Sequence, residues 1–348
     1  TEYAHLFGAA DGAAFAFQNV QDAQDAFDLR HKLWNQVDKW QHESHNWLNQ
    51  PFVSHDVEVV TKQVTKMFKE AHAMTKKLLT DAGGEDEVAQ KLKSEIAKWK
   101  GNLSVLQDLG NTALKPRHWE KIFSAIGMPP KTNHNNVTLA QLEEQAIYEH
   151  KDLVGEQSAT ASGEMGLQIS INKIEEHWAV TMLPVMGLGD RKNVFILGKG
   201  KNADKDQPDV AEIIEVLEEH QMTVQTLLSS RYVGGVRDQI EKWEGKLQNA
   251  AAVIEEWLIL QRAWMYLENI FAAEDIQKQL PQEAAKFKTV DKGWKDTFRK
   301  VHQSYQLAMD AFSMDAFLLR LQGWVKDLDA VQKGLEDHLE SKREAFPH

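Results

Sequence analysis

The sequence predicts a mainly α-helical protein, an elongated array of helical bundles with one short β-hairpin near residues 179–197. Three observations predict this fold class. The 348 residues include 8 prolines and no cysteine, and the helix-favouring residues Ala, Leu, Glu, Lys and Gln are abundant in nearly every window. Apolar residues recur every seven positions between residues 240 and 264, which is typical of one helix face. Around residues 179–197 the apolar period shortens to that of a strand.

The composition excludes several classes of partner and site. With 40 basic against 52 acidic residues the net charge is −12 at pH 7, so no nucleic acid and no membrane surface is expected as a partner. No window approaches the roughly 18 uninterrupted apolar residues of a membrane-spanning helix. The lack of cysteine excludes disulfides and thiolate metal sites, and together with the lack of a signal-peptide pattern it favours the cytoplasm.

The first 50 residues are expected to form a long helix that precedes the bundles. Residues 1–14 are small and rich in Gly and Ala, and they are predicted to be irregular. From about Asn19 apolar residues recur at helical intervals until Pro51 ends the pattern. The predicted inward positions are Val20, Ala23, Phe27, Leu33 or Trp34, Val37, Trp40 and Trp47.

Residues 51–178 are expected to form the first group of helical bundles. Ser54 is the predicted N-cap of a second helix, which Gly83 and Gly84 would end, and a third helix follows at once. Helices joined by such short turns pack most simply as an antiparallel bundle.

Three further helices are predicted in this group. Pro116 suits the first turn of a short helix, where its missing N–H costs nothing. Thr138 and Gln141 match a capping box for a helix that continues through His150. The last helix is predicted over residues 164–178.

Residues 179–208 are predicted to hold the hairpin and a charged loop. The strands are expected at residues 179–185 and 193–197. The Gly-Lys-Gly-Lys run at residues 198–201 leaves two interpretations open, a phosphate-binding loop and a solvated exit from the hairpin. A phosphate loop needs Ser or Thr after its lysine and a helix directly behind it, whereas Asn202 and more charged loop follow here.

Residues 209–348 are expected to form the second group of helical bundles, in which a helix from about Val233 to Phe271 is central. Its inward positions are Ile240, Trp243, Leu247, Ala250, Ile254, Trp257, Gln261 and Trp264, of which only Gln261 is polar. A helix beginning at Asp209 precedes it, with Ile213, Val216, Leu217, Met222, Val224 and Leu228 inward. A short element at residues 274–280, a turn at Pro281 and helices at residues 291–306 and 314–343 are predicted to follow.

Several residues permit a functional interpretation as well as a structural one. His42 and His45 are three apart, whereas two zinc-binding histidines on a helix are four apart, and no third ligand is evident, so surface histidines are favoured. Tryptophans could stack on ligands, but helical spacing is more typical of core packing. The tryptophans concerned are Trp119, Trp243, Trp257, Trp264, Trp294 and Trp324.

Glycines at two connections are candidate hinges. The pair Gly234 and Gly235 lies between two predicted helices, where glycine permits either a simple turn or a flexing joint. The same two interpretations apply to the hairpin region. The complete set of candidate hinge residues is Gly187, Gly189, Gly198, Gly200, Gly234 and Gly235.

Four motifs, at residues 111–123, 228–234, 261–268 and 274–281, resemble the linker region of dynein heavy chains and stand in the same order. The last of them is most similar to axonemal dyneins. The residues that carry the resemblance include Lys115, Pro116, Arg117, His118, Trp119, Ser229, Ser230, Arg231, Trp243, Trp264, Asp275, Leu280 and Pro281.

The resemblance implies a mechanical function. In this family the linker is a lever arm that joins the tail to a ring of AAA+ modules, and ATP turnover in the ring bends and straightens it to give the power stroke towards the microtubule minus end. The implied partners are that ring, the dynein tail and other dynein chains, with microtubules reached only through the parent protein's stalk. The implied location is the cytoskeleton of a cilium or flagellum, the axoneme.

No catalytic, cofactor-binding or metal-binding residue is predicted in this chain, because no acid, base, nucleophile or phosphate-loop constellation is evident. By resemblance, ATP and Mg²⁺ bind the AAA+ modules of the parent, and the chain is expected to be an excerpt whose linker continues beyond His348. Residues 1–50 would then lead from tail to linker, and residues 51–178 and 209–348 would be linker bundles. The alternative is a static helical scaffold or tail segment that binds other dynein subunits.

Overall fold

A computed structural model describes residues 10–82, 84–129, 132–189, 191–198 and 209–344. These residues form twelve α-helices and a single two-stranded antiparallel sheet, which confirms the mainly α fold class with one short hairpin. The chain divides into two compact units, Thr1–Gly163 and Glu164–His348. The boundary falls within one helix, whereas the four-part division at residues 50, 178 and 208 stays a prediction.

The first unit contains five complete helices and the beginning of a sixth. The helices are α1 (Ala10–Asn49), α2 (Val57–Ala82), α3 (Glu87–Leu109), α4 (Pro116–Ala125), α5 (Leu139–Glu144) and α6 (Lys151–Val180). Short 3₁₀ turns at Phe52–Ser54, His134–Asn136 and Ile147–His150 connect them.

Helix α1 carries two apolar strips with the same seven-residue spacing, one buried and one exposed. The buried strip comprises Leu29, Leu33, Trp40 and Trp47. The exposed strip comprises Val20, Phe27 and Trp34, whose exposed fractions are 67%, 63% and 57%. The predicted inward orientation of Val20, Phe27 and the likewise exposed Ala23 is therefore wrong, and of the alternatives Leu33 or Trp34 the buried one is Leu33. A shift of one residue turns a helix by about 100°, and the bundle selects Leu33 rather than Trp34. The helix also includes residues 10–14, which were predicted to be irregular.

Helices α1, α2 and α3 pack together around tryptophans. The indoles of Trp40, Trp47 and Trp99 lie 5.4–6.1 Å apart in edge-on and tilted pairs, which aromatic rings favour. The predicted cap of α2 is wrong by two residues. The backbone N–H groups of Glu58 and Val59 donate to Asp56, whereas the Ser54 hydroxyl donates to the carbonyl of Pro51.

The later helices of the first unit depart from the predicted boundaries. The capping box of Thr138 and Gln141 is confirmed at 3.0 and 3.3 Å. The helix it starts ends at Glu144 rather than at His150, because Ala146 has a φ of +53° and breaks the helical path. Helix α6 begins 13 residues before the predicted start, since its glycine-, serine- and threonine-rich first half gives a weak helical signal in sequence.

The hairpin is confirmed, with both strands shorter than the predicted residues 179–185 and 193–197. Strand β1 (Val185–Gly187) pairs antiparallel with β2 (Phe195–Leu197). Residues 179–180 belong to α6 instead. The chain then forms an isolated bridge between Met182 and Leu307, which takes up backbone groups that the predicted strand would have paired within the hairpin.

The second unit is built around its longest helix, α8. Its helices after α6 are α7 (Val210–Leu228), α8 (Arg237–Phe271), α9 (Glu274–Gln279), α10 (Pro281–Ser304), α11 (Ala308–Phe312) and α12 (Phe317–Glu344). Helices α7, α10, α11 and α12 all contact α8. All eight predicted inward positions of α8 are buried, which confirms the seven-residue pattern.

Three expectations for this unit are wrong in detail. Met222 is 67% exposed rather than inward. Pro281 begins α10 and is not merely a turn, because proline is tolerated in the first turn of a helix. The helix predicted over residues 314–343 begins at Phe317, since Ala316 has a φ of +51° and separates α11 from α12.

Candidate functional site: joints and motif residues

The described side chains contain no group of three or more histidines and carboxylates placed to hold a metal ion. His42 and His45 each contact an asparagine one turn further along α1, Asn46 at 3.1 Å and Asn49 at 3.2 Å. Among the helices that the structure describes, none is both long and apolar enough to cross a bilayer. The functional features left to consider are the joints and the motif residues.

A cleft of about 840 Å³ opens in the first unit between the start of α2, the end of α3 and α6. Its carboxylates are Asp56, Glu58 and Asp108. The hydroxyls of Ser158 and Ser162 accept hydrogen bonds from Asn111 Nδ2 at 3.0 and 2.7 Å. They are therefore engaged in holding the α3–α4 connection against α6, which is a structural contact.

The motif at residues 115–119 begins α4. It consists of Lys115, Pro116, Arg117, His118 and Trp119. Pro116 is the first helical residue, and the buried ring of His118 accepts the backbone N–H of Lys115 through Nδ1 at 3.0 Å. Trp119 packs edge-on against Phe52 with ring centroids 6.4 Å apart. The motif thus caps a helix and anchors it to the turn that follows α1.

The motif at residues 229–231 ends α7. The Ser229 hydroxyl donates to the carbonyl of Thr226 at 2.8 Å, and Ser230 Oγ accepts the N–H of Tyr232 at 3.3 Å. The Arg231 guanidinium lies over the Tyr232 ring, 4.6 Å from its centroid. These local contacts close the C-terminal end of the helix, and they form no acid–base pair.

The glycine pair lies in a 3₁₀ turn, Val233–Gly235, between α7 and α8. Val233 and Val236 are buried on either side of it, and the N–H of Val236 donates to the carbonyl of Val233 at 3.0 Å. Both glycines are exposed and neither has a positive φ. A Cβ added to Gly234 would meet no heavy atom within 4 Å. The turn is anchored at its ends, and its middle has free space.

The motif tryptophans join α8 to its neighbours. Trp264 is fully buried, stacks on Trp294 of α10 with centroids 5.2 Å apart, and donates Nε1–H to Asp291 at 3.0 Å. Trp243 is also buried, with the Lys246 ammonium 4.4 Å from its ring centroid. Both rings belong to the core of the second unit.

The last motif forms the corner between α9 and α10. Asp275 is exposed in the first turn of α9, where a carboxylate is favourable to the helix dipole. Leu280 is buried and its N–H donates to the carbonyl of Ile276 at 2.9 Å, and Pro281 begins α10 directly after it. The motif therefore sets a sharp change of chain direction.

The hairpin glycines take distinct backbone roles. Gly187 pairs with Phe195 within the sheet, and Gly189 has a φ of +57° in the connecting turn. The N–H of Gly198 donates to the carbonyl of Pro184 at 3.0 Å where the hairpin ends. Gly200 lies outside the described residues, as do the other members of the Gly-Lys-Gly-Lys run beyond Gly198.

Gln261 of α8 holds the hairpin, a contact that was not predicted from the sequence. Its Oε1 accepts the N–H of Leu197 at 2.8 Å, and its Nε2 donates to the carbonyl of Leu197 at 2.9 Å. Its burial explains the one polar position in the apolar pattern of α8. The sequence signal was present, because a buried amide requires hydrogen-bond partners, but it could not identify them.

Comparison with known proteins decides the family. The sequence model described as dynein heavy chain, N-terminal region 2, matches residues 20–348. The chain belongs to the dynein heavy chain family. It is 34% identical over 331 residues to dynein axonemal heavy chain 6 of Homo sapiens and 30% identical over 315 residues to dynein axonemal heavy chain 1 of Mus musculus. These matches cover 95% and 90% of this chain but only 8% and 7% of the two relatives.

The resemblance to dynein heavy chains predicted from the motifs is therefore confirmed. In this dynein segment the motif residues are distributed over both units: residues 115–119 lie in the first, and the other three groups lie in the second. The structure does not gather them into one pocket. Each group instead caps, stacks or redirects a helix at its own place.

Proposed function

We propose that this dynein heavy chain segment is the mechanical linker, the lever arm that the ATP cycle of the parent's AAA+ ring bends and straightens to produce the power stroke. The proposal includes the axoneme of a cilium or flagellum as its location, and the ring, the tail and other dynein chains as its partners. The axonemal names of the relatives support the location. In this proposal ATP and Mg²⁺ are bound by the ring, and the segment itself is not an enzyme.

The observation that carries the proposal is the core around α8. This 35-residue helix buries an apolar residue at nearly every inward position and contacts five other helices. Close packing of this kind resists deformation, so force applied at one end of the helix is transmitted along it. Flexing is then confined to connections, of which the Val233–Gly235 turn has free space beside Gly234.

Gliding of microtubules by the complete motor tests the proposal. Gly234→Ala with Gly235→Ala restricts the turn without filling occupied space at Gly234, so gliding should slow while the segment stays folded. Gly245→Ala is the matched control, because Gly245 lies exposed within α8 and a Cβ there also meets no atom within 4 Å. Unchanged gliding with the double variant would reduce the glycine pair to a simple turn.

A static scaffold that binds other dynein subunits is the second candidate. The exposed strip of Val20, Phe27 and Trp34 favours it, because exposed apolar side chains in a row often mark protein contacts. Under this alternative, gliding would be insensitive to the glycine pair, whereas replacing Phe27 and Trp34 by serine would release a subunit from the purified motor.

A further inference from the structure

The two backbone groups of Leu197 point away from the hairpin. In an antiparallel pair, residues alternate between those that bond across the ladder and those whose N–H and C=O face outward. The N–H of Gly198 bonds to Pro184 and that of Leu188 bonds to Val194, and Leu197 pairs opposite Val185 between these positions. Its N–H and C=O are therefore free to bond on the outer edge of β2.

Gln261 occupies that edge in the manner of a third strand. The carboxamide has the same donor and acceptor as a peptide group, and it bonds to both groups of Leu197, at 2.8 and 2.9 Å. Gln261 is 9% exposed and Leu197 is 3% exposed, so water cannot readily replace either bond. One side chain of α8 thus completes the edge of the sheet.

Two further contacts hold the same hairpin. Arg191, in the turn, forms an ion pair with Glu268, which lies seven residues after Gln261 on α8. Phe195 stacks on His302 of α10 with ring centroids 4.2 Å apart. The three attachments are at the turn and at the first and last residues of β2, so the hairpin is restrained at several points and not at one.

We propose that Gln261 is a positioning residue that fixes the hairpin to α8, so that the two move as one rigid body. The inference rests on the proposed lever function and refines it. It assigns Gly187 and Gly189 to the rigid body and leaves the Val233–Gly235 turn as the candidate hinge of this unit.

Hydrogen exchange on the complete motor tests the attachment itself. Gln261→Leu keeps the side-chain size but removes both hydrogen bonds, so peptides covering residues 194–198 should exchange about tenfold faster or more. Peptides from the buried middle of α8 should keep wild-type exchange. Wild-type exchange at residues 194–198 in the variant would overturn the proposal. Faster exchange throughout the second unit as well as in the hairpin would also overturn it.

Cross-linking tests the movement and does not depend on that variant folding. Arg191→Cys and Glu268→Cys place thiols where two side chains already meet, in a segment with no native cysteine. Joined by a short bis-maleimide, the motor should glide at the speed of the same double variant left unjoined. Each single-cysteine variant treated with the reagent is the control for modification elsewhere.

Arrest of gliding by the cross-link would overturn the proposal, because it would mean that the hairpin moves relative to α8 during the stroke. This result is separable from failure of the lever proposal, which the glycine variants test together with the Phe27 and Trp34 variants. Gliding unchanged by the glycine substitutions, with loss of a subunit when Phe27 and Trp34 are replaced, would favour the static scaffold. Fast hairpin exchange in Gln261→Leu would keep the attachment in that case as well.

Discussion

Aromatic side chains of α8 differ sharply in burial. Trp264 fills the interface of α8 with α10, stacks on Trp294 and hydrogen-bonds Asp291. Tyr266, two positions along the same helix, is 54% exposed. The pair therefore allows the contribution of burial to be measured within one helix and with one class of side chain.

Trp264→Ala should lower the free energy of unfolding by about 3–5 kcal/mol, because it removes a fully buried aromatic ring and leaves a cavity. Tyr266→Ala should change it by less than about 1 kcal/mol, as exposed substitutions usually do. Denaturant titration followed by circular dichroism measures both. A small loss for Trp264→Ala would show that its ring is not part of the core.

His220 is expected to make stability depend on pH. The buried indole of Trp178 donates Nε1–H to His220 Nδ1 at 3.0 Å, so this nitrogen must be unprotonated. Burial, and then the nearby His177, lower the pKa of His220 below its ordinary value of 6.5, with Glu219 acting in the opposite direction. The folded protein thus binds a proton on this ring less readily than the unfolded chain does.

The free energy of unfolding should consequently fall as the pH drops below about 6.5, because the unfolded chain takes up the proton first. His220→Asn retains an acceptor near the Nδ1 position but cannot titrate, so the dependence should be weaker in this variant. Denaturant midpoints between about pH 5 and 8 measure the difference. Burial also lowers the pKa of His55, and its contribution remains equal in both proteins. Identical pH profiles would exclude His220 as the cause.

At the scale of the elements, the sequence predicted the core-facing positions of helices better than it predicted their boundaries. The core-facing residues of α8 follow from a single seven-residue repeat, and capping at Thr138 follows from residue types alone. Ala146 and Ala316 interrupt helices with positive φ values, which alanine rarely adopts. The residue types at these positions therefore did not predict the two breaks. Tertiary packing sets such breaks, and packing is not visible in local sequence.

Competition between patterns explains the error in α1. Leu33, Trp40 and Trp47 are seven apart, as are Val20, Phe27 and Trp34, and both strips satisfy the same periodicity rule. Tertiary contacts identify the buried strip, among them the packing of Trp40 and Trp47 on Trp99 of α3. The Gln261 contact was hidden for a related reason, because its partner is a backbone group 64 residues away.

The start of α2 gives an element-scale prediction. Asp56→Ala should cost about 1 kcal/mol, because the carboxylate accepts two N–H groups that the helix leaves unpaired. Ser54→Ala should cost less than about 0.5 kcal/mol, since the hydroxyl lies outside the helix and contacts only a carbonyl. Thermal unfolding of the two variants ranks them. A larger loss for Ser54→Ala would restore the cap expected from sequence.

For the whole segment, the lever proposal requires that the nucleotide bind outside it, on the ring of the parent. The run at residues 198–201 lacks the hydroxyl residue that follows the lysine of a phosphate loop. Titration of the isolated chain with ATP and Mg²⁺ should therefore give no saturable change in tryptophan fluorescence, whereas the complete motor should respond. Tight binding by the isolated chain would contradict a segment without its own nucleotide site.

The exposed strip on α1 affects how the segment can be handled. Phe27 and Trp34 present large aromatic surfaces to water, and the neighbouring side chains from residue 18 to residue 28 are all exposed. When the segment is separated from the rest of a heavy chain, such a helix promotes aggregation. Solubility screens of this segment would do well to begin with serine at these two positions, since the buried strip on the same helix would be left intact.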